Sequence, residues 1–508
     1  MQRKLAVLLL FHTCWGIVLG LSISKYGLGV STDATSYMFA GANWAEGRGL
    51  VDFSGAPYIL WPPLYPMLIG FLHLAGLSAF ASAHVIQFTA FALFAYFSTI
   101  LFLKIFPDDF PLALLGAFLL DIGPVVISTF DMVGTDYLFS LFPVILALLI
   151  NEYAQTQKKT ILTLIALTAS LAVLLRYIGY TLVLTGLIAV LVYTKGSWLK
   201  RTLRAFYLSL FSIPPFLWLL QTWLATATTR RMPLTLGEYI RQFTAGLLSW
   251  FTEPPRTKDL TFAHFFLVWG CIALAIALFF LLTRKVRVFD PLTASLLGFG
   301  LIYILALFAN ALIAYFNRLW GRFQLPIYLP LIVLFLVLIE KWLRYLHVSN
   351  PKNQRLAVFI GTAFLVFISA AQLQQTITLM KDSVKGGILE NGINTKEWNE
   401  NSIQQYWNQH APEGNYLLFS NYPAGAAFHT GHDAYPSPRR TGVYDENVIP
   451  LEDYKDALFS SNAQTYLLWI EPNTLEHIYL PEDLAEIAEI EVVIKNKDGG
   501  IYILRPIL

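Results

Sequence analysis

The chain has 508 residues, 56% of them apolar and only 13% charged, where an ordinary soluble protein is about 25% charged. That composition excludes a disordered chain, a coiled coil and a disulfide-rich secreted scaffold, and leaves a membrane protein of many spans. The net charge of +2 averages two unlike regions: residues 1–372 hold 26 Lys and Arg against 14 Asp and Glu, and residues 373–508 hold 9 against 19. Scattered cations and an acidic tail offer no concentrated basic face, so nucleic acid is excluded as a partner. Cys14 and Cys271 both lie in apolar runs, which argues against a disulfide framework or a cysteine metal site.

In chain order, the apolar runs predict eleven spans at about 5–23, 81–103, 110–130, 136–151, 160–175, 178–194, 205–223, 262–283, 291–316, 324–340 and 355–373. The segments 2–4, 104–109, 151–159, 195–204, 284–290 and 341–355 carry 16 of the 26 Lys and Arg. This bias places the N-terminus in the cytoplasm and the C-terminus outside, in a multi-pass protein of the plasma (inner) membrane. The first run has the basic start and apolar stretch of a signal peptide. No small-x-small cleavage site follows Gly20, so it reads as an uncleaved anchor.

Three outside segments exceed what a turn needs. The first, 24–80, holds Trp44, Trp61, Pro62, Pro63, Pro66 and the amphipathic stretch 64–74, and reads as an ordered loop with interfacial helices. The second, 224–261, carries Arg230, Arg231, Arg241 and Arg256 and a helical pattern over 239–251. The third is the tail from 381. It alternates a helical pattern at 394–410, a strand at 416–420, a helix at 451–460 and a strand at 465–470, then closes with a hairpin of 491–494 and 501–504. The fold class is therefore a polytopic α-helical membrane protein of about 11 transmembrane helices with a C-terminal extracytoplasmic α/β domain. Its expected domains are 1–373, with the outer loops 24–80 and 224–261, and 381–508. No short repeat stands out.

Ionisable groups at membrane depth are expensive and mark function. Asp33 follows the first span, and Asp131 and Asp136 follow the third, all on the outer side. Arg176, Arg318 and Arg322 reach the same level. The arginine fork matches phosphate oxygens in a bidentate way and keeps its charge in a low-dielectric setting, while a carboxylate can take a proton from an incoming nucleophile. These parts suit displacement of a lipid-linked phosphate. Plainer roles stand beside that reading. Asp33 also fits a loop acid near the headgroups, Asp136 an N-cap of the fourth span, Asp131 a solvated acid, and the arginines snorkelling cations. Asp121, mid-run beside Pro124, needs to face the bundle and find a polar partner. His429, His432 and Asp433 form only a weak metal signal.

The motifs add to this in their order. Asp33-x-x-x-Tyr37-x-x-Ala40, Gly47-Arg48-Gly49 and Trp61-Pro62-Pro63-Leu64-Tyr65-Pro66 resemble the first outer loop of bacterial lipid-phosphosugar-dependent glycosyltransferases of the C-type superfamily. That group includes the protein mannosyltransferases and the lipid A aminoarabinose transferases. Thr135-Asp136-Tyr137-Leu138-Phe139 resembles the second acidic motif, Arg176-Tyr177 the end of the fifth span, and Arg322-Phe323-x-x-Pro326 the late Arg-aromatic-Pro element. The tail resembles outer domains of some members at Phe419-Ser420-Asn421-Tyr422-Pro423 and His429-Thr430-Gly431.

The resemblance implies Asp33 as base or acceptor-orienting group, Asp136 as a second catalytic acid, and Tyr37, Trp61, Pro63 and Tyr65 as parts of the substrate loop. Members often carry a basic residue before the Pro-Pro pair, where this chain has Trp61. The donor phosphate contact is therefore expected at Arg176, Arg318 or Arg322. The partners implied are a polyprenyl-phosphate sugar donor, membrane lipid, and a lipid, glycan or protein acceptor. Transfer is expected to invert the sugar and to need no cofactor or divalent metal, since no Asp-x-Asp lies in either acidic loop. The rival reading is a transporter or lipid-linked sugar flippase. Such proteins show inverted repeats and broken helices in matching positions, whereas here the polar groups gather on one side.

Overall fold

A computed structural model describes residues 2–507 except 227–233, 254–255, 284–289, 314–318, 320, 350, 389–391, 443–446, 460–462 and 473–476. The chain forms two compact units, Met1–Ser22 with Leu60–Leu64 and Val85–Asp382, and Ile23–Ile59 with Tyr65–His84 and Ser383–Leu508. Most of the first outer loop thus folds with the tail, although more than 290 residues separate them in sequence.

In the membrane unit every expected span falls on a helix or a bent pair. These are Gln2–Ser22, Ala79–Ile105, Phe110–Asp121 with Pro124–Phe130, Thr135–Thr156, Lys159–Leu175, Tyr180–Tyr193, Trp198–Leu210 with Ile213–Thr226, Phe262–Thr283, Pro291–Ile313, Leu325–Ser349 and Pro351–Gly386. Length narrows the count. Among the described residues six helices are long and apolar enough to cross a bilayer, or eight if each bent pair is one span. Lys159–Leu175 has 17 residues, a rise of about 25 Å against a hydrocarbon core of about 30 Å.

The 50° bend between Phe110–Asp121 and Pro124–Phe130 follows from Pro124, which has no N–H to continue the ladder. A break at membrane depth must find other donors for the carbonyls it frees. Tyr328 Oη donates to the Leu119 carbonyl at 2.7 Å, and Thr376 Oγ1 to that of Ile122 at 2.8 Å. Asp121, at the end of the first half, accepts from Nδ1 of His12 at 2.8 Å, and both side chains are buried. The acid does face the bundle and is paired there, which joins the first helix to the broken one.

In the outer unit the helix Thr32–Ala45 begins at Ser31, whose hydroxyl accepts from Ala34 N at 3.3 Å. It packs on the helix Leu64–Leu74 through Gly41 and Gly70. A Cβ on Gly70 would lie 2.7 Å from the Gly41 carbonyl oxygen, so this closeness requires glycine. The tail folds as one five-stranded sheet of β1 (Tyr416–Ser420), β2 (Tyr435–Pro436), β3 (Gln464–Ile470), β4 (Ala488–Asn496) and β5 (Gly499–Pro506), in the order β2-β1-β3-β5-β4. β1 runs parallel to β2 and β3, β5 runs antiparallel to β3, and β4 completes an antiparallel hairpin with β5 at the sheet edge. Phe419, Leu467, Trp469, Tyr502 and Leu504 are buried in one cluster that holds the sheet to the turns around it. The helix Pro423–Thr430 was not expected from the sequence.

Candidate active site

In the membrane unit the fourth expected span starts at Gly134, which offers no side-chain cap. Asp136 therefore sits in the first turn of Thr135–Thr156 with its carboxylate free for another partner, and takes Arg176. Arg176 lies where the helix Lys159–Leu175 ends, in extended backbone. Its NH1 forms an ion pair with Asp136 and donates to Thr135 Oγ1 at 3.1 Å. The guanidinium also stands 5.7 Å from the Phe323 ring centre, and that of Arg322 stands 5.4 Å from the same ring. The Asp136 side chain is 7% exposed and that of Arg176 is 15% exposed. The pair is thus largely withdrawn from protein-accessible solvent, and Asp136 holds the fork at one end.

The Phe323 segment is itself fixed. Tyr303 Oη donates to the Phe323 carbonyl at 3.1 Å, Gln324 Nε2 to that of Phe243 at 2.8 Å, and Leu319 N to Gln242 Oε1 at 3.0 Å. Gln242 and Phe243 belong to the helix Leu236–Leu248 of the second outer loop, capped by Thr235. That loop therefore builds the ground on which Arg322 and Phe323 stand. Sequence reading missed Tyr303, Gln242 and Gln324, and named Thr135 only within a motif. The signal that points to Tyr303 is a polar tip in an otherwise apolar helix; the two glutamines, one in a helix that also carries Glu238 and Arg241 and one in a turn, carry no such signal. Arg318, Arg230 and Arg231 lie outside the described residues. Asp131 is buried at the end of the helix Pro124–Phe130, not solvated. Trp61 and Pro63 belong to this unit too; Pro63 is buried, and the Trp61 carbonyl accepts from Trp218 Nε1 at 3.2 Å.

In the outer unit Asp33 occupies the first turn of Thr32–Ala45 and is half-buried. A carboxylate there is favoured by the positive end of the helix dipole. Tyr37, one turn on, packs edge-on to Tyr58 and Tyr65 at 6.3 and 5.4 Å. Tyr37 and Tyr65 are buried, so they build the loop's core beneath the helix. Arg48 forks onto Glu46 at 2.7 Å and reaches Asp433 of the tail at 3.6 Å. Burial pushes the Asp433 carboxyl up, opposed by Arg48. His429 Nε2 donates to the Ile393 carbonyl at 2.8 Å, and burial holds its imidazole below the usual histidine range. His429 and Asp433 thus have other partners, and among the described residues no three His, Cys, Asp or Glu side chains are grouped as metal ligands.

No protein-family model and no curated protein matches the sequence. The fold does match solved structures. ArnT from Cupriavidus metallidurans bound to undecaprenyl phosphate aligns over 97% of both chains with a TM-score of 0.59 at 13% identity. The same protein in the apo state aligns over 98% of this chain and 97% of its own, with a TM-score of 0.60 and 13% identity. The arabinofuranosyltransferase AftD from Mycobacteria aligns over 99% of this chain but 40% of its own, with a TM-score of 0.50 and 12% identity.

Proposed function

We propose that this chain is a glycosyltransferase that moves a monosaccharide from a polyprenyl-phosphate donor to an extracytoplasmic acceptor. The observation that carries the reading is the Arg176 guanidinium, withdrawn from solvent and held by Asp136, Thr135 and Phe323 at the end of an apolar helix. The fold it shares with an ArnT that binds undecaprenyl phosphate supports the donor class, and the arabinofuranosyltransferase neighbour supports sugar transfer. Such a fork matches phosphate oxygens in a bidentate way, and the polyprenyl phosphate that leaves carries more negative charge than the donor phosphodiester.

In this mechanism an acceptor hydroxyl or amine attacks the anomeric carbon of the donor sugar. The anomeric C–O bond to phosphate breaks, and polyprenyl phosphate leaves with its electron pair. Asp33 takes the proton that the acceptor loses. Arg176 and Arg322 of the membrane unit receive the charge growing on the phosphate, with no reorganisation at the moment of reaction. Asp136 is assigned as the positioning residue that orients the Arg176 fork. The acceptor is a lipid, glycan or protein outside the plasma membrane, with the N-terminus in the cytoplasm. Inversion follows from the family resemblance, because a single displacement gives the opposite anomer. In this mechanism the arginines, rather than a divalent metal, carry the compensating charge.

The test is release of free polyprenyl phosphate by the purified protein in liposomes, from a panel of polyprenyl-phosphate sugars with envelope extract as acceptor. Turnover of one donor that is lost in a folded Asp33→Asn variant is the expected result. Movement of the donor headgroup across the bilayer without sugar transfer would replace the reading with a flippase.

A further inference from the structure

Segment 26–31 joins the first helix to the helix that carries Asp33, and it runs as turn and irregular backbone with Leu28, Gly29 and Val30 buried. Buried backbone outside a ladder must find its hydrogen bonds elsewhere. Here they come from the tail. Ile393 N donates to the Val30 carbonyl at 2.8 Å, and Asn394 Nδ2 donates to the carbonyls of Tyr26 and Leu28. Val30 directly precedes Ser31, the N-cap, so the bond falls three residues from Asp33.

The donors are themselves gripped. His429 Nε2 holds the Ile393 carbonyl at 2.8 Å, and its ring stacks on Trp398 at 5.3 Å and 13°. His429 belongs to the helix Pro423–Thr430, which lies against the helix Thr32–Ala45, and its neighbour Phe428 packs edge-on to Phe80 at 5.3 Å. Two adjacent tail residues thus bond the approach to this helix, and the tail helix Pro423–Thr430 packs against the helix itself.

We infer that the tail domain is a positioning element of the transfer reaction: through Ile393, Asn394 and His429 it fixes segment 26–31 and so sets the placement of Asp33. The inference rests on the transfer reading above and gives the tail a role in it. Misplacing a reacting group by about 1 Å costs roughly a hundredfold in rate, so a remote hydrogen bond of this kind acts on kcat.

The full-length protein in nanodiscs is compared as wild type, Asn394→Ala, His429→Ala, His429→Gln and Asp483→Asn. The last removes the 2.6 Å bridge to Arg440, another tail contact that does not involve segment 26–31. Steady-state transfer and hydrogen–deuterium exchange of peptides covering 26–36 are both read. Asn394→Ala and His429→Ala are expected to lower kcat by about tenfold or more with donor KM within about twofold, and to deprotect 26–36. His429→Gln, which keeps an N–H donor, restores most of both, and Asp483→Asn changes neither. Wild-type kcat and protection in the two alanine variants overturn the inference, and so does an equal loss in the glutamine and control variants. Absence of turnover in the wild type sinks the transfer reading separately, and exchange at 26–36 then still decides whether the tail holds this segment.

Discussion

Arg176 meets three partners of different kinds: a carboxylate, a hydroxyl and an aromatic ring. Lysine supplies the charge without the fork, so Arg176→Lys is expected to lower kcat about a hundredfold while the protein stays folded, checked by transfer kinetics and thermal unfolding. Arg176→Ala is harsher, because it leaves Asp136 charged and buried. A loss of about 3–5 kcal/mol is typical for such a severed pair. Chelation is a third check: transfer in excess EDTA should equal that in buffer, and activity restored only by a divalent ion would contradict the proposed charge balance. His429 sets a pH dependence. Its folded pKa lies below the ordinary 6.5, so the unfolded chain binds the proton more readily. The stability it contributes is full above about pH 6.5 and is lost as pH falls through the lowered folded value. Thermal unfolding across pH 5–8 should show that loss in wild type and less of it in His429→Gln.

At the scale of elements, the approach of Thr32–Ala45 to Leu64–Leu74 depends on hydrogen atoms at Gly41 and Gly70. A Cβ at Gly41 would meet the Pro66 carbonyl oxygen at 2.6 Å, and backbone cannot move aside as a side chain can. Gly41→Val should therefore lower the thermal midpoint of the outer unit, by overpacking of about 1–3 kcal/mol. Sequence patterning found most elements of the tail. The strands at 416–420 and 465–470 and the closing hairpin alternate or run apolar between turn residues, and they appear as β1, β3 and the β4–β5 pair. The helix Pro423–Thr430 escaped because Pro-Ala-Gly-Ala-Ala-Phe-His-Thr has too few large apolar residues to show a period. The Asp-and-Arg motifs were legible as residue types. Their pairing was not, since Asp136 and Arg176 are 40 positions apart and only the folded chain makes them neighbours.

At the scale of the molecule, the buried His12–Asp121 pair joins the first helix to the broken third span. Removing one partner strands the other, so His12→Leu should destabilise by about 3–5 kcal/mol, whereas the double change to His12→Leu with Asp121→Leu should be milder. Thermal unfolding in detergent measures both, and equal losses in the single and double variants would contradict the pairing.

What the sequence determined by itself was local in origin: a helical membrane protein, from the length of its apolar runs; an α/β tail, from period and turn residues; and a set of acids and arginines, from the cost of charge at membrane depth. The tertiary structure decided everything that depends on partners distant along the chain. It bent two of the spans and shortened others, paired Asp121 with His12 and Asp136 with Arg176, and joined the first outer loop to the tail in one compact unit. The physical reason is that a composition or a period reports how a segment meets solvent or lipid. Which buried donor meets which acceptor is fixed only when the backbone brings them within hydrogen-bond reach.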